Sequence, residues 1–201
     1  MRHVVGDPHL VTFDGLSYDA QLVGELVLTK STVDDFQVQV RQQPWNGSQL
    51  VAVNTATAMD VNGDRVGIYL TPTGVRTTVD GETVTPGPGG MALPGGGSIR
   101  HDAAGRLETV AWPDGTSVTA SYVPRSYITL RLGIPSERLG HLTGLLGDAG
   151  GDRSDDLRAR GGDVVPTGSP AAVILRDFAD TWRLGEGESL FDYAEGRAPR
   201  R

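Results

Sequence analysis

The residues of this 201-residue chain best suited to chemistry lie in one stretch, Gly144-Leu145-Leu146-Gly147-Asp148-Ala149-Gly150-Gly151-Asp152-Arg153-Ser154-Asp155-Asp156-Leu157. Two leucines between glycines read as a buried anchor. Gly150-Gly151 then opens a loop with four aspartates within nine residues, closed by Leu157. Glycines let backbone carbonyls turn inward. Short carboxylates at irregular spacing can converge on one point, and a hard cation such as Ca²⁺ takes roughly six to eight such oxygens from side chains and backbone together. The competing reading is a solvated acidic loop, because Asp and Gly are also ordinary turn residues. Carboxylates folded to about 5 Å apart repel by roughly 3 kcal/mol per pair at an effective dielectric near 20, but by under about 1 kcal/mol in water. A folded loop therefore needs a cation, or Arg153, Arg158 and Arg160 reaching back. Spacing alone favours neither, and the order D-x-[DN]-x-[DN]-G of the EF-hand does not occur.

A metal-dependent hydrolase would have to draw on His9, His101 or His141 together with the aspartates. None of the three stands in an H-E-x-x-H motif or at a paired spacing, and no G-x-S-x-G nucleophile motif occurs. Lone histidines are more often packed or surface residues than ligands.

Net charge is −7, and the basic residues cluster only in the terminal 197–201 stretch, which argues against a nucleic-acid partner. No apolar run is long enough to span a membrane. The first residues, Met1-Arg2-His3-Val4-Val5-Gly6-Asp7, hold no apolar signal core, so the domain either stays inside the cell or belongs to a longer secreted chain. Cysteine is absent, which excludes disulfides, thiolate zinc sites and cysteine catalysis together. Seventeen arginines against one lysine point to the coding bias of a GC-rich, bacterial genome.

Many short strands must position the acidic loop, because glycine (28) and proline (12) are abundant. Asp14-Gly15 predicts a tight turn after the strand that contains Leu10 and Thr12, and a second strand is expected from Leu22 to Leu28. Phe36-Gln37-Val38-Gln39-Val40-Arg41 alternates apolar with polar, as a strand with one buried face does. Alternation continues from Val51 to Val61, and Asn62-Gly63 reverses the chain into Val66, Ile68 and Leu70. Asp80-Gly81 and Pro113-Asp114-Gly115 predict further turns, and residues 85–97 read as a flexible Gly/Pro loop. Ile128, Leu130 and Leu132 alternate again, giving a meander of about ten strands. Ser136-Glu137-Arg138-Leu139 is a short helix candidate. Ile174, Leu175, Phe178 and Trp182 predict an amphipathic helix from Ala171 to Trp182 that covers a sheet face.

Three motifs in order resemble the von Willebrand factor type D domain. Gly6-Asp7-Pro8-His9-Leu10-Val11-Thr12-Phe13-Asp14-Gly15, followed by Tyr18, is similar to that family's opening motif. Gly144-Leu145-Leu146-Gly147-Asp148 through Asp155-Asp156-Leu157 resembles its second signature, and Asp177-Phe178-Ala179-Asp180-Thr181-Trp182-Arg183-Leu184 its closing helix. The resemblance implies a mainly β protein: a β-sandwich of antiparallel strands with a short C-terminal helix and an acidic calcium loop, over residues 1–193, with 194–201 as a flexible tail. It implies one Ca²⁺, with Asp14 brought alongside Asp148, Asp155 and Asp156 as ligands and Asp152 giving its backbone carbonyl. Gly150 departs from the family, which has Asn or Asp there, so one oxygen is missing and weaker binding is expected. Leu26, Thr143 and Leu146 stand where the family has cysteines, so disulfide-linked oligomers are not expected.

The function implied is a non-catalytic calcium-binding module of a larger extracellular or cell-surface protein, serving adhesion or matrix assembly. Its partners would be a protein, a matrix component or other domains of the same chain. The alternative is self-processing, since relatives carrying Gly-Asp-Pro-His resemble this chain where an Asp–Pro bond breaks. The Asp7 carboxyl would attack its own carbonyl, Pro8 nitrogen would leave, and His9 would supply the proton.

Overall fold

A computed structural model describes residues 2–4, 9–48 and 50–193. The chain begins with β1 (Arg2–Val4), β2 (His9–Val11), β3 (Ser17–Asp19), β4 (Gly24–Ser31) and β5 (Gln37–Pro44). It continues through β6 (Ala52–Val61), β7 (Asp64–Leu70), β8 (Val75–Val79), β9 (Glu82–Val84) and β10 (Met91–Ala92). The last strands are β11 (Ser98–Asp102), β12 (Leu107–Ala111), β13 (Ser117–Val123), β14 (Tyr127–Gly133) and β15 (Leu142–Thr143). They form an eight-stranded sheet in the order β10-β11-β12-β13-β14-β1-β2-β3 and a seven-stranded sheet in the order β15-β4-β5-β6-β7-β8-β9. Adjacent strands pair antiparallel throughout. The protein is therefore a mainly β, antiparallel sandwich.

Alternation decides which side chains fill the space between the sheets. Ile128, Leu130 and Leu132 of β14 are fully buried, and they share the core with Val38 and Val40 of β5 and Val66 and Ile68 of β7. The Phe36 and Trp112 rings meet edge to face at 5.3 Å, an arrangement favoured by their quadrupoles. The expected hairpins form where Asn62 and Gly63 (φ 55° and 95°), and Asp80 and Gly81 (φ 50° and 88°), adopt left-handed backbone. That conformation suits a two-residue turn between twisted strands.

Among the described residues fifteen strands replace the ten expected; the additional ones are β1, β3, β10, β11 and β15, all but β11 only two or three residues long and so without alternation to read. The strand expected from Leu22 starts at Gly24 and runs on to Ser31. Residues 85–97 are tied down: β10 pairs with β11, Leu93 is buried, and the Gly95 N–H donates to the buried Asp64 carboxylate at 2.7 Å. Ser136–Arg138 is a single 3₁₀ turn. Helix occupies 171–182 as expected, but as one α turn, a wider π-type turn over Ile174–Phe178 and a 3₁₀ turn over Ala179–Trp182. Ile174, Phe178 and Trp182 still point inward, so burial rather than regular helical bonding fixes this segment.

Past the helix the chain crosses the outer face of the second sheet. Gln39, fully buried, donates through Nε2 to the Glu188 carbonyl and accepts from the Leu190 N–H, both at 2.8 Å. Phe191 packs on Tyr69, and Asp192 accepts from Arg65, Tyr69 and Thr78. The expected tail, 194–201, lies outside the described residues.

Arg138 clamps one end of the sandwich. Its guanidinium pairs with Asp34 at 3.1 Å and Asp114 at 2.7 Å and lies 4.3 Å from the centre of the Phe36 ring. Although burial alone would raise both carboxyl pKa values, the hydrogen bonds and the guanidinium charge outweigh it and hold them below the usual carboxylate range. Arg138→Met should cost about 1–2 kcal/mol, since it removes a buried guanidinium from two carboxylates that solvent already screens in part. Urea denaturation at pH 7 checks this. The loss should shrink below about pH 3.5, because groups with depressed folded pKa values contribute stability that disappears as pH falls through those values.

Candidate metal centre

Asp14 sits on the turn between β2 and β3. The Thr12 N–H donates to the Leu16 carbonyl at 2.9 Å, and the Gly15 N–H closes back on Thr12 at 3.1 Å, with Gly15 at φ 94°. The Phe13 N–H then donates to the Leu146 carbonyl at 2.9 Å, and Tyr18 Oη donates to the Leu145 carbonyl at 2.6 Å. Leu145 and Leu146 are fully buried, and their N–H groups donate to Val27 and Leu28 of β4. The leucine anchor is thus fixed to the first turn on one side and to the second sheet on the other.

From that anchor the chain turns through Gly147, at φ 76°. A Cβ added there would lie 2.0 Å from Asp156 Oδ1, so only glycine leaves room for the Asp156 carboxylate. One oxygen each from Asp14, Asp148 and Asp156 lies within 4.8 Å of the others. Asp156 is buried, and its Oδ2 accepts from Thr12 Oγ1 at 2.6 Å. Asp156 Oδ1 and Asp14 Oδ2 are buried with no hydrogen-bond partner among the described residues. Two orphaned carboxylate oxygens beside a third carboxylate form an all-oxygen donor set of the kind a hard divalent cation satisfies.

Asp152 and Asp155 point elsewhere. The exposed Asp152 carboxylate accepts from the Ser154 N–H at 2.9 Å, while Asp155 lines a cleft of about 210 Å³ with Asp148 and Asp156 but pairs with Arg158 at 3.0 Å. At Gly150 the N–H donates to Asp148 Oδ1, and an added Cβ would stand 3.0 Å from that carboxylate, so a side chain here would reach the same cluster. Thr12 joins the cluster although the sequence marks it only as a strand position, its one signal being a hydroxyl two residues before Asp14 on an inward face. The histidines are apart from the cluster: His9 contacts Asp19, His101 Nδ1 lies 2.6 Å from Glu108, and His141 is exposed. Asp7 and Pro8, on which self-processing would turn, lie outside the described residues.

Burial raises the Asp156 carboxyl to about 6, with Asp14, Asp148 and Asp155 adding to the rise and the Thr12 hydrogen bond opposing it. Tyr18, buried near Asp156, is pushed well above its ordinary value for the same two reasons, desolvation first.

The fold and the site together define a class: a two-sheet antiparallel sandwich with an acidic oxygen cluster at one end. The chain belongs to the von Willebrand factor type D domain family, whose pattern matches residues 3–163. Among curated proteins it is 29% identical to human Sushi domain-containing protein 2 over 94% of this chain and 23% of the relative. It is 32% identical to bovine SCO-spondin over 90% of this chain and 3% of the relative, and 28% identical to human mucin-4 over 89% of this chain and 4% of the relative. The chain therefore spans less than a quarter of the length of each.

The raised Asp156 value carries a sign that can be measured. A carboxyl that titrates higher in the folded state than in the unfolded chain binds more protons when folded, so stability falls as pH rises between the two values. In chelator-containing buffer, the urea midpoint should drop from about pH 4 to about pH 6.5, and Asp156→Asn should flatten most of that slope. A parent midpoint that rises across this window would contradict the assignment.

Proposed function

We propose that this domain is a non-catalytic module stabilised by one bound Ca²⁺ and serving adhesion or matrix assembly in a larger extracellular or cell-surface protein. The observation that carries the reading is the pair of buried, partnerless oxygens on Asp14 and Asp156 beside Asp148. Without a cation, three carboxylates this close repel one another. With one, the attraction ties the β2–β3 turn to a loop more than 130 residues later in the chain.

Asp14, Asp148 and Asp156 are the side-chain ligands proposed. Asp152 contributes its carbonyl and Asp155 an outer carboxylate, once Arg158 is displaced. The relatives support the wider setting: mucin-4, SCO-spondin and a Sushi domain-containing protein are much longer chains, of which this domain matches a small part. Partners would be other domains of its own chain or a protein of the matrix. Among the described residues no helix is long and apolar enough to cross a membrane, and the chain, lacking cysteine, can form no disulfide.

Calorimetric titration of the chelated protein with Ca²⁺ tests the proposal. One ion per chain is expected, and at a hundredfold excess over Kd it adds about 2.7 kcal/mol to stability. For a domain of this size that raises the melting temperature by roughly 5–10 °C. Asp14→Ala and Asp156→Ala should each remove both signals. Identical melting curves with and without the ion would reject the site.

A further inference from the structure

At the other end of the sandwich a second cleft opens, about 300 Å³ in volume. It forms where β5 ends at Pro44, β7 ends at Leu70 and the β13–β14 turn carries Arg125. The eight residues of β5, roughly 25 Å of extended chain, separate it from the aspartates, because the loop before β5 includes Thr32 of the acidic cleft. The two sites can therefore succeed or fail independently.

The cleft brings together groups that a folded domain has no internal use for. Trp45 is 45% exposed, whereas Trp112 and Trp182 are buried. Around it stand Gln43, Asn46, Arg125 and Ser126, whose side chains make no hydrogen bond or ion pair within the described residues. Val53 and Leu70 lie beneath them. The lining holds one cation and no carboxylate, on a chain whose net charge is −7. Two lining residues also adopt left-handed backbone without being glycine, Asn46 at φ 48° and Arg125 at φ 61°. Asn tolerates that region, but Arg does so at a cost that Gly would avoid. The Arg125 N–H donates to the Thr71 carbonyl, a bond any residue could make, and the guanidinium has no partner among the described residues.

We propose that this cleft binds an acidic saccharide. The indole offers a flat apolar face to the C–H face of a sugar ring, the amides and the hydroxyl meet ring hydroxyls, and the guanidinium takes the carboxylate in a paired, charge-assisted bond. The volume is at the lower end of ligand sites, which matches one or two sugar units. A neutral sugar would leave Arg125 unpaired, and an acidic peptide would not use the ring of neutral hydrogen bonders as fully.

The test follows Trp45 fluorescence, the other two indoles being shielded, during titration with a glucuronate-containing tetrasaccharide, a neutral glucose tetrasaccharide and an acidic peptide of equal charge. The uronate should bind with an affinity at least about tenfold above the neutral sugar, the difference one charge-assisted pair supplies. Trp45→Ala, followed by calorimetry, should abolish binding. Arg125→Gly should weaken uronate binding about tenfold while melting no lower than the parent, because it relaxes the turn; a purely structural arginine would show the opposite. Equal affinity for both sugars, preference for the peptide, unchanged binding in either variant or no binding at millimolar sugar would each overturn the proposal.

Discussion

Two backbone hydrogen bonds at the β2–β3 turn govern much of this molecule. Thr12 closes the turn on Leu16, and Phe13 hands its N–H to Leu146, so that Asp14 arrives beside Asp148 and Asp156 whether or not their charges agree. The carboxylates do not assemble the site; the surrounding framework does. Leu145 and Leu146 fill the core and bond to β4, Tyr18 bonds to the Leu145 carbonyl, and Gly147 has no side chain to keep Asp156 out. Hydrophobic burial thus holds together groups that would otherwise separate, which is why two of their oxygens can remain buried and unpaired.

The same framework explains how the domain stands without disulfides. Leu26 and Leu146, which stand where the resemblance places the family's cysteines, are fully buried, and so add apolar area instead of a covalent link. Polar clamps close the perimeter. Arg138 binds two carboxylates and an aromatic face at one end, and Gln39 uses both amide groups to fasten the segment that crosses the second sheet. That segment and the helical stretch before it lie beyond the matched family pattern, yet Phe178 and Trp182 belong to the main core. The folding unit is accordingly longer than the pattern that identifies it.

What could be read from the sequence was what repeats or what turns. Period-two alternation located β5, β6, β7 and β14, and Asn-Gly and Asp-Gly marked hairpins because only small or amide residues adopt their backbone cheaply. The convergence of Asp14 on Asp148 could not come from spacing, since it depends on a hydrogen bond across more than 130 residues; family resemblance alone anticipated it. Nor could spacing distinguish Asp156, aimed inward over Gly147, from Asp152 and Asp155, each engaged by a near neighbour. The partners of Thr12 and Arg138 are illegible for a related reason. A hydroxyl at a strand end and an arginine in a single 3₁₀ turn have no pattern until their partners are known.

The two ends of the sandwich illustrate different uses of local cost. At the acidic end, burial and like charge raise the free energy of the ionised Asp156, and a cation would recover that energy on binding. At the Trp45 end the cost lies in the backbone, where an arginine occupies a left-handed position although its guanidinium makes no hydrogen bond or ion pair among the described residues. Both ends rest on the same core: Leu145 and Leu146 belong to it beside the aspartates, and Leu70 packs against it beneath the Trp45 cleft. That shared core is what keeps unpaired groups in place at both edges.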